Sequence, residues 1–222
     1  MKKYLYIFCS GFISGLLIAI GATVYLSMLA GGQGEYHAKI LGSLFFGVGL
    51  YGIIIFDTWL YTGKVGNTLN EKPSYLLDLL ICVLGNLIGV VLLSLLISVT
   101  RYGESLQAQA SILVAQKQND SWYSILFLAF MCGVMIYIAC KGHAICPNPI
   151  GKIILCFLAV SVFILCGFEH VVANASYYAY AHFFNLKAFG YFALMALGNG
   201  LGAISFDGLL KLISHLKVSD RA

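Results

Sequence analysis

Six apolar runs set what this chain can fold into. They cover approximately residues 4–29, 38–60, 75–99, 122–140, 151–180 and 188–211. A helix needs about 20 apolar residues to cross the hydrocarbon of a bilayer, so each run is read as one crossing. Composition agrees. The residues AVILMFWYC make up 60% of the 222 positions and charged residues only 10%, against roughly 25% charge in a soluble domain. Such a chain has too little charge to cover a water-facing surface. A cytosolic enzyme, a nucleic-acid reader and a disordered regulator are thereby excluded.

The expected fold is an all-α membrane protein, one channel-like domain over 1–222, with both termini on the same side. Lys2 and Lys3 precede a first run too long for a signal-peptide core, and no processing site is evident, so that run is expected to be a membrane helix. A cytoplasmic N-terminus puts Lys2, Lys3, Lys64, Lys72, Lys141, Lys152, Lys211, Lys217 and Arg221 inside. Lys39, Arg101, Lys117 and Lys187 then lie outside. The positive-inside rule favours this arrangement. The longest connection, 100–121, has a mixed stretch, Ser105–Val114, expected to form a short interfacial helix. The seven cysteines lie mostly within apolar runs, where a thiol behaves as a small hydrophobe. They suggest no disulfide framework.

The two halves, approximately 1–100 and 121–211, resemble each other. Gly85-Asn86-Leu87-Ile88-Gly89 in the third run matches Gly198-Asn199-Gly200-Leu201-Gly202 in the sixth. The second and fifth runs each meet a polar, glycine-marked interruption. In one, Phe56 leads into Asp57 and on through Leu60-Tyr61-Thr62-Gly63-Lys64. In the other, Cys166 leads into Gly167-Phe168-Glu169-His170-Val171-Val172-Ala173-Asn174. Aligning Phe56 with Phe168 gives an offset of 112, close to the 113 between the asparagines. Three crossings per half make the halves inverted, the plan of many transport proteins. Irregular backbone at membrane depth persists only where protein or a cavity satisfies it, so helices two and five are expected to be broken and to line a pore. Asn86 and Asn199 are read as packing and hydrogen-bonding residues, with pore lining the alternative. Gly11 with Gly15 and Gly85 with Gly89 form small-residue faces suited to close helix crossings.

With those motifs in view, the chain resembles the formate/nitrite transporter family. Gly167-Phe168-Glu169-His170-Val171-Val172-Ala173-Asn174 is similar to the family's fifth-helix motif almost letter for letter. Leu60-Tyr61-Thr62-Gly63 resembles its Leu-Phe-Thr-Gly loop. The chain departs from the family at Gly133, where an Asn is common, at Trp59, where an acidic residue is usual, and at Lys64. The resemblance implies an aquaporin-like fold in a homopentamer, embedded in the inner (cytoplasmic) membrane, with a pore in each subunit. It implies passage of small monovalent anions or their conjugate acids, formate or nitrite first, then hydrosulfide, acetate or lactate, with protons as partners. No cofactor, metal or nucleic acid is expected.

His170 is then the leading pore residue, able to offer a proton or a hydrogen bond to an anion. Thr62 is expected opposite it, with Tyr61 and Phe168 among the bulky groups near the constrictions. Lys117 is expected in the vestibule, focusing anions, and Asp120 is expected to cap helix four. Glu169 and Asn174 are read as structural support, Glu169 accepting hydrogen bonds from the broken helix or the Thr62 loop. Two other functions are disfavoured. A neutral-solute pore of aquaporin type lacks its Asn-Pro-Ala pair here, and a membrane redox enzyme lacks haem-type spacing. Cys140, His143 and Cys146 form one compact group, too small a signal to assign a metal.

Overall fold

The computed structural model describes residues 1–219, so Arg221 of the charge tally lies outside the described residues. Among the described residues every regular element is a helix. The order is α1 (Lys2–Gly31), α2 (Tyr36–Ile55), α3 (Tyr61–Lys64), a 3-10 turn (Val65–Asn70), α4 (Tyr75–Ser98), α5 (Gly103–Gln118), α6 (Trp122–Ile145), α7 (Pro149–Leu165), α8 (Val171–Tyr180) and α9 (Leu186–Ser219). By length and composition α1, α2, α4, α6 and α9 can each cross a membrane, while α7, also apolar, has 17 residues. The fifth apolar run is thus divided between α7 and α8.

Local chemistry sets several boundaries. Ser121 caps α6, its hydroxyl accepting from the Ser124 amide. Asp120, expected as the cap, instead stands one residue earlier and accepts from the Ser121 amide at 2.7 Å and the Ser124 hydroxyl at 2.7 Å. Asn148 caps α7, and Pro149 takes its first position, where a missing N–H costs nothing. The connection after α4 holds a helix longer than the expected Ser105–Val114. It is not merely interfacial, because Leu106, Ala110 and Val114 are buried and α5 packs on α8 and α1.

The helices cross at backbone distance. A Cβ built on Gly15 would lie 2.2 Å from the Asn86 carbonyl oxygen, and one on Gly89 would lie 2.2 Å from that of Phe12. This locks α1 onto α4. The same occurs between α6 and α9, where a Cβ on Gly133 would lie 2.0 Å from the Asn199 carbonyl oxygen and one on Gly202 1.9 Å from that of Phe130. Gly133, the departure from the family's usual Asn, therefore belongs to a crossing that leaves a side chain no room.

The two interruptions are built alike. After α2 the amides of Asp57 and Thr58 donate to the carbonyls of Ile54 and Ile53, at 3.3 and 3.0 Å. After α7 the amides of Gly167 and Phe168 donate to Ile164 and Phe163, at 3.1 and 2.8 Å. Both are helix stops closed by a left-handed residue, with φ of 47° at Asp57 and 70° at Gly167. This pattern pairs Asp57 with Gly167 and Leu60 with His170, an offset of 110. Phe56 therefore corresponds to Cys166, both being helix C-caps, and not to Phe168 as the sequence alignment had it.

Gly133→Ala should destabilise the α6/α9 crossing by about 1–3 kcal/mol, the usual cost of overpacking. Gly190, which has open space around its Cα, provides the control. A Gly133→Ala melting curve in detergent that overlays that of Gly190→Ala would contradict the packing described.

Candidate functional site

In each interruption the chain runs extended for a residue before helix resumes, with φ and ψ of −106° and 127° at Leu60 and −97° and 118° at His170. That leaves backbone groups without helical partners, and a buried, unpaired one costs several kcal/mol in an apolar medium. One asparagine serves each interruption. The Asn86 carboxamide accepts from the Tyr61 amide at 2.8 Å and donates to the carbonyls of Trp59 and Gly11, both at 2.8 Å. The Asn199 carboxamide accepts from the Val171 amide at 3.0 Å and donates to the carbonyls of Glu169 and Ala129, both at 2.8 Å. Both asparagines are fully buried. All of these bonds go to backbone groups, and neither asparagine is among the residues that line the two cavities described below.

The interruptions bring Thr62 and His170 together. The Thr62 hydroxyl and His170 Nε2 are 2.8 Å apart, both buried. His170 is also the N-cap of α8, its Nδ1 accepting from the Ala173 amide at 3.1 Å. With Nδ1 an acceptor, the neutral ring carries its proton on Nε2. Nε2–H then donates to the Thr62 oxygen, and the Thr62 hydroxyl proton remains available to another acceptor. The Phe163 ring stacks against the imidazole, centroids 5.8 Å apart.

A second cluster lies beside this pair. Lys117 Nζ donates to both oxygens of Glu169, at 2.8 and 2.7 Å, and the Asn174 amide donates to Glu169 at 2.8 Å and to the His170 carbonyl at 2.9 Å. Lys117 reaches there because Leu106, Ala110 and Val114 seat α5 on its neighbours, one helical face bringing the last turn over α8. Of the two donors expected for Glu169, the broken helix supplies one through Asn174 and the Thr62 loop supplies none among the described contacts, while Lys117 donates to both oxygens. Lys117 correspondingly spends its charge on Glu169 and is largely buried, with 14% of its side chain exposed. It is not a loop residue but the last turn of α5. Asn174 steadies Glu169 and the backbone, not the imidazole.

Two cavities approach this centre from opposite ends of α6. The first, of about 240 Å³, is lined by Phe168, Glu169, His170, Lys117 and Asp120, the last just before α6, and by Lys39 and Tyr25. The second, of about 420 Å³, is lined by Leu60, Gly63, Lys64, Thr58 and Asp57, and by Tyr137, Lys141 and His143 from the far half of α6. Phe168 stands at the wall of the first cavity. Tyr61 is at neither: its hydroxyl donates to the Ala196 carbonyl at 2.9 Å, and Leu60 takes the lining position. Phe56 is 69% exposed and points away. Sequence reasoning missed the Lys117–Glu169 pair and the lysines of the second cavity. The Lys64 departure was the one available signal for the latter.

A model of the formate/nitrite transporter family matches residues 2–213. The chain belongs to that family. It is 27% identical to the formate channel FocB of Escherichia coli over 76% of this chain and 64% of that one, so the match spans just under two thirds of that relative. It is likewise 27% identical to the uncharacterized transporter YrhG of Bacillus subtilis, over 93% of this chain and 84% of that one. Its fold matches that of a pentameric formate channel solved with formate bound, with TM-score 0.83, 21% identity and coverage of 97% and 98% of the two chains. Family and fold neighbours are described as transporters and channels, not enzymes.

The Lys117–Glu169 pair yields a direct test. Removing one partner of a buried pair costs about 3–5 kcal/mol, whereas removing both can be nearly neutral. Glu169→Ala and Lys117→Met should each lower the melting temperature sharply, and Glu169→Gln should do so less than Glu169→Ala. The double variant Lys117→Met/Glu169→Gln should recover most of the loss. Additive losses in the double variant would show that the two side chains stabilise the protein independently.

Proposed function

We propose that this chain is a membrane channel for small monovalent anions and their conjugate weak acids, formate foremost and nitrite next. The observation that carries the reading is the buried Thr62–His170 hydrogen bond between two cavities at opposite ends of α6. A bare carboxylate is very costly to move through an apolar constriction. Here it would meet the free Thr62 hydroxyl proton, and also His170 Nε2–H where the anion takes the place of the Thr62 oxygen as its acceptor.

His170 then acts in one of two ways. As the neutral ring it stabilises the anion by a hydrogen bond. To deliver a proton it must first take one on Nδ1, which releases the Ala173 amide, and then pass the Nε2 proton to the carboxylate. The acid leaves neutral, and the ring is left with its proton on Nδ1. Proton coupling therefore involves the first turn of α8. Phe168, on the first cavity, and Leu60, on the second, are the apolar groups that flank the narrow point.

The surrounding architecture is read in the same terms. α2 with α3, and α7 with α8, each act as one broken crossing, and with α1, α4, α6 and α9 they make six. The 110-residue correspondence of the two interruptions and the matching roles of Asn86 and Asn199 support an inverted repeat. The excess of lysine near the termini supports a cytoplasmic location for both ends, in the inner membrane. The pentameric fold neighbour supports a homopentamer seated in lipid.

The test is formate flux into proteoliposomes between roughly pH 5 and 8. Thr62→Val should cut flux several-fold. His170→Phe should abolish proton-coupled uptake. His170→Asn should retain anion conduction with a flattened pH profile, because it hydrogen-bonds without titrating. All three proteins must elute and melt as assembled channels. Rates and pH profiles identical to the parent would remove Thr62 and His170 from the conduction path.

A further inference from the structure

The correspondence between the interruptions exposes a difference in charge. At an offset of 110, Trp59 stands where Glu169 stands, and Lys64 where Asn174 stands. At the second interruption Asn174 and Lys117 both donate to the Glu169 carboxylate, and the charges cancel locally. At the first interruption there is no carboxylate at the equivalent site. Lys64 Nζ lies over the Trp59 ring, 5.4 Å from its centroid. Its nearest acidic group among the described residues, Asp57, is 3.7 Å away, beyond hydrogen-bond reach, with 90% of its side chain exposed. A cation held by a ring face and a loose, solvated carboxylate keeps most of its field for a third partner.

That field falls on the second cavity. Its lining sets Lys64 and Lys141 against Asp57 alone, with His143 beside them and Asn67 adding a carboxamide. In the first cavity Lys39 and Lys117 face Asp120 and Glu169, so the charges there balance. The cavities therefore differ in sign although the interruptions beneath them are built alike. A cleft with one excess sign of charge and apolar walls concentrates counter-ions.

We propose that Lys64 is an anion-binding residue of the second cavity, taking a small carboxylate or similar monovalent oxyanion in place of its weak contact with Asp57. The bound anion sits against Leu60 and Gly63, one step from Thr62, and Lys141 strengthens the attraction from the far wall. Trp59 holds the lysine stem in position. The second cavity is then a holding site and the first is not, which makes the two ends of the path unequal toward the anion. The route by which the anion proceeds from there rests on the pore reading above, whereas the binding itself does not.

Trp59 reports on this site. The chain has two tryptophans, so Trp122→Phe leaves Trp59 as the sole indole, directly beneath the ammonium. Purified Trp122→Phe protein in detergent is titrated with sodium formate and, separately, with formamide, its uncharged counterpart. Formate should change the Trp59 emission saturably, and formamide should not. Adding Lys64→Gln should raise the formate midpoint about tenfold, the scale of one lost charge-assisted hydrogen bond. Lys64→Arg should stay near the parent, and Lys141→Gln should raise the midpoint by a smaller factor. The variants are compared only where elution and melting match the parent, and Lys141→Gln serves if Lys64→Gln fails that check. No saturable response to formate, an equal response to formamide, or a midpoint unmoved by Lys64→Gln and Lys141→Gln each overturns the proposal. Formate flux without this response would reject the binding site and leave the channel reading standing. Lys64-dependent binding without flux would do the reverse.

Discussion

The carboxamides of Asn86 and Asn199 are the interaction on which the rest of this structure depends. An interrupted helix in an apolar setting leaves amides and carbonyls that nothing else can satisfy, at several kcal/mol each. An asparagine side chain is suited to this because it offers an acceptor and two donors from one planar group. Each spends all three, one on the amide after the extended residue, one on the carbonyl before it, and one on the helix packed alongside. The third bond explains the glycines. The Gly11 carbonyl comes within reach of Asn86 only because α1 and α4 touch backbone to backbone, and Gly15, Gly85 and Gly89 make that approach possible. Helix crossing and interruption are thus one construction, made twice.

Fixing the backbone this way decides what Leu60 and His170 can do. Both stand at the extended residue between two anchored peptide groups, so the main chain sets the direction from which their side chains enter the packing. One is apolar and lines a cavity wall. The other has a ring whose nitrogens are both engaged, one by the first turn of α8 and one by Thr62. Next to each anchored residue the chain places a group that sets local charge. Glu169 is neutralised by Lys117 across from α5, whereas Trp59 is neutral already and Lys64 faces the solvated Asp57 carboxylate at 3.7 Å. The backbone device is symmetric and the electrostatics laid over it are not.

The apolar runs made the helical membrane fold legible, because length and hydropathy alone determine which segments can lie in lipid. The polar interruptions and the paired Gly-Asn motifs were legible too, since each is conspicuous on an apolar helix. What sequence did not yield was register. Twenty-six residues separate Leu60 from Asn86 and twenty-nine separate His170 from Asn199, so no single offset superposes both features. The left-handed φ at Asp57 was hidden because Asp there does the work that Gly167 does openly. Partner identity was equally out of reach. Lys117 and Glu169 are 52 positions apart, and only the burial of one face of α5 brings them together. Tyr61 illustrates the same limit on a smaller scale: adjacent positions at an interruption diverge, and the cavity wall fell to Leu60.

The N-cap role of His170 has a consequence for any chemistry at this centre. An ordinary titrating histidine changes charge with little effect on the main chain. Here the imidazolium would carry a hydrogen on Nδ1, facing the Ala173 amide that now donates to it. Two donors cannot share that position, so gaining the proton requires the ring to turn or the first turn of α8 to shift. Either movement disturbs the Thr62 contact on the other side of the ring, since the imidazole is rigid and its two nitrogens move together. Protonation, helix capping and the Thr62 hydrogen bond are therefore one coupled equilibrium. The neighbouring anchors at Val171 and Asn174, held by Asn199 and by the His170 carbonyl, bound how far that turn can yield.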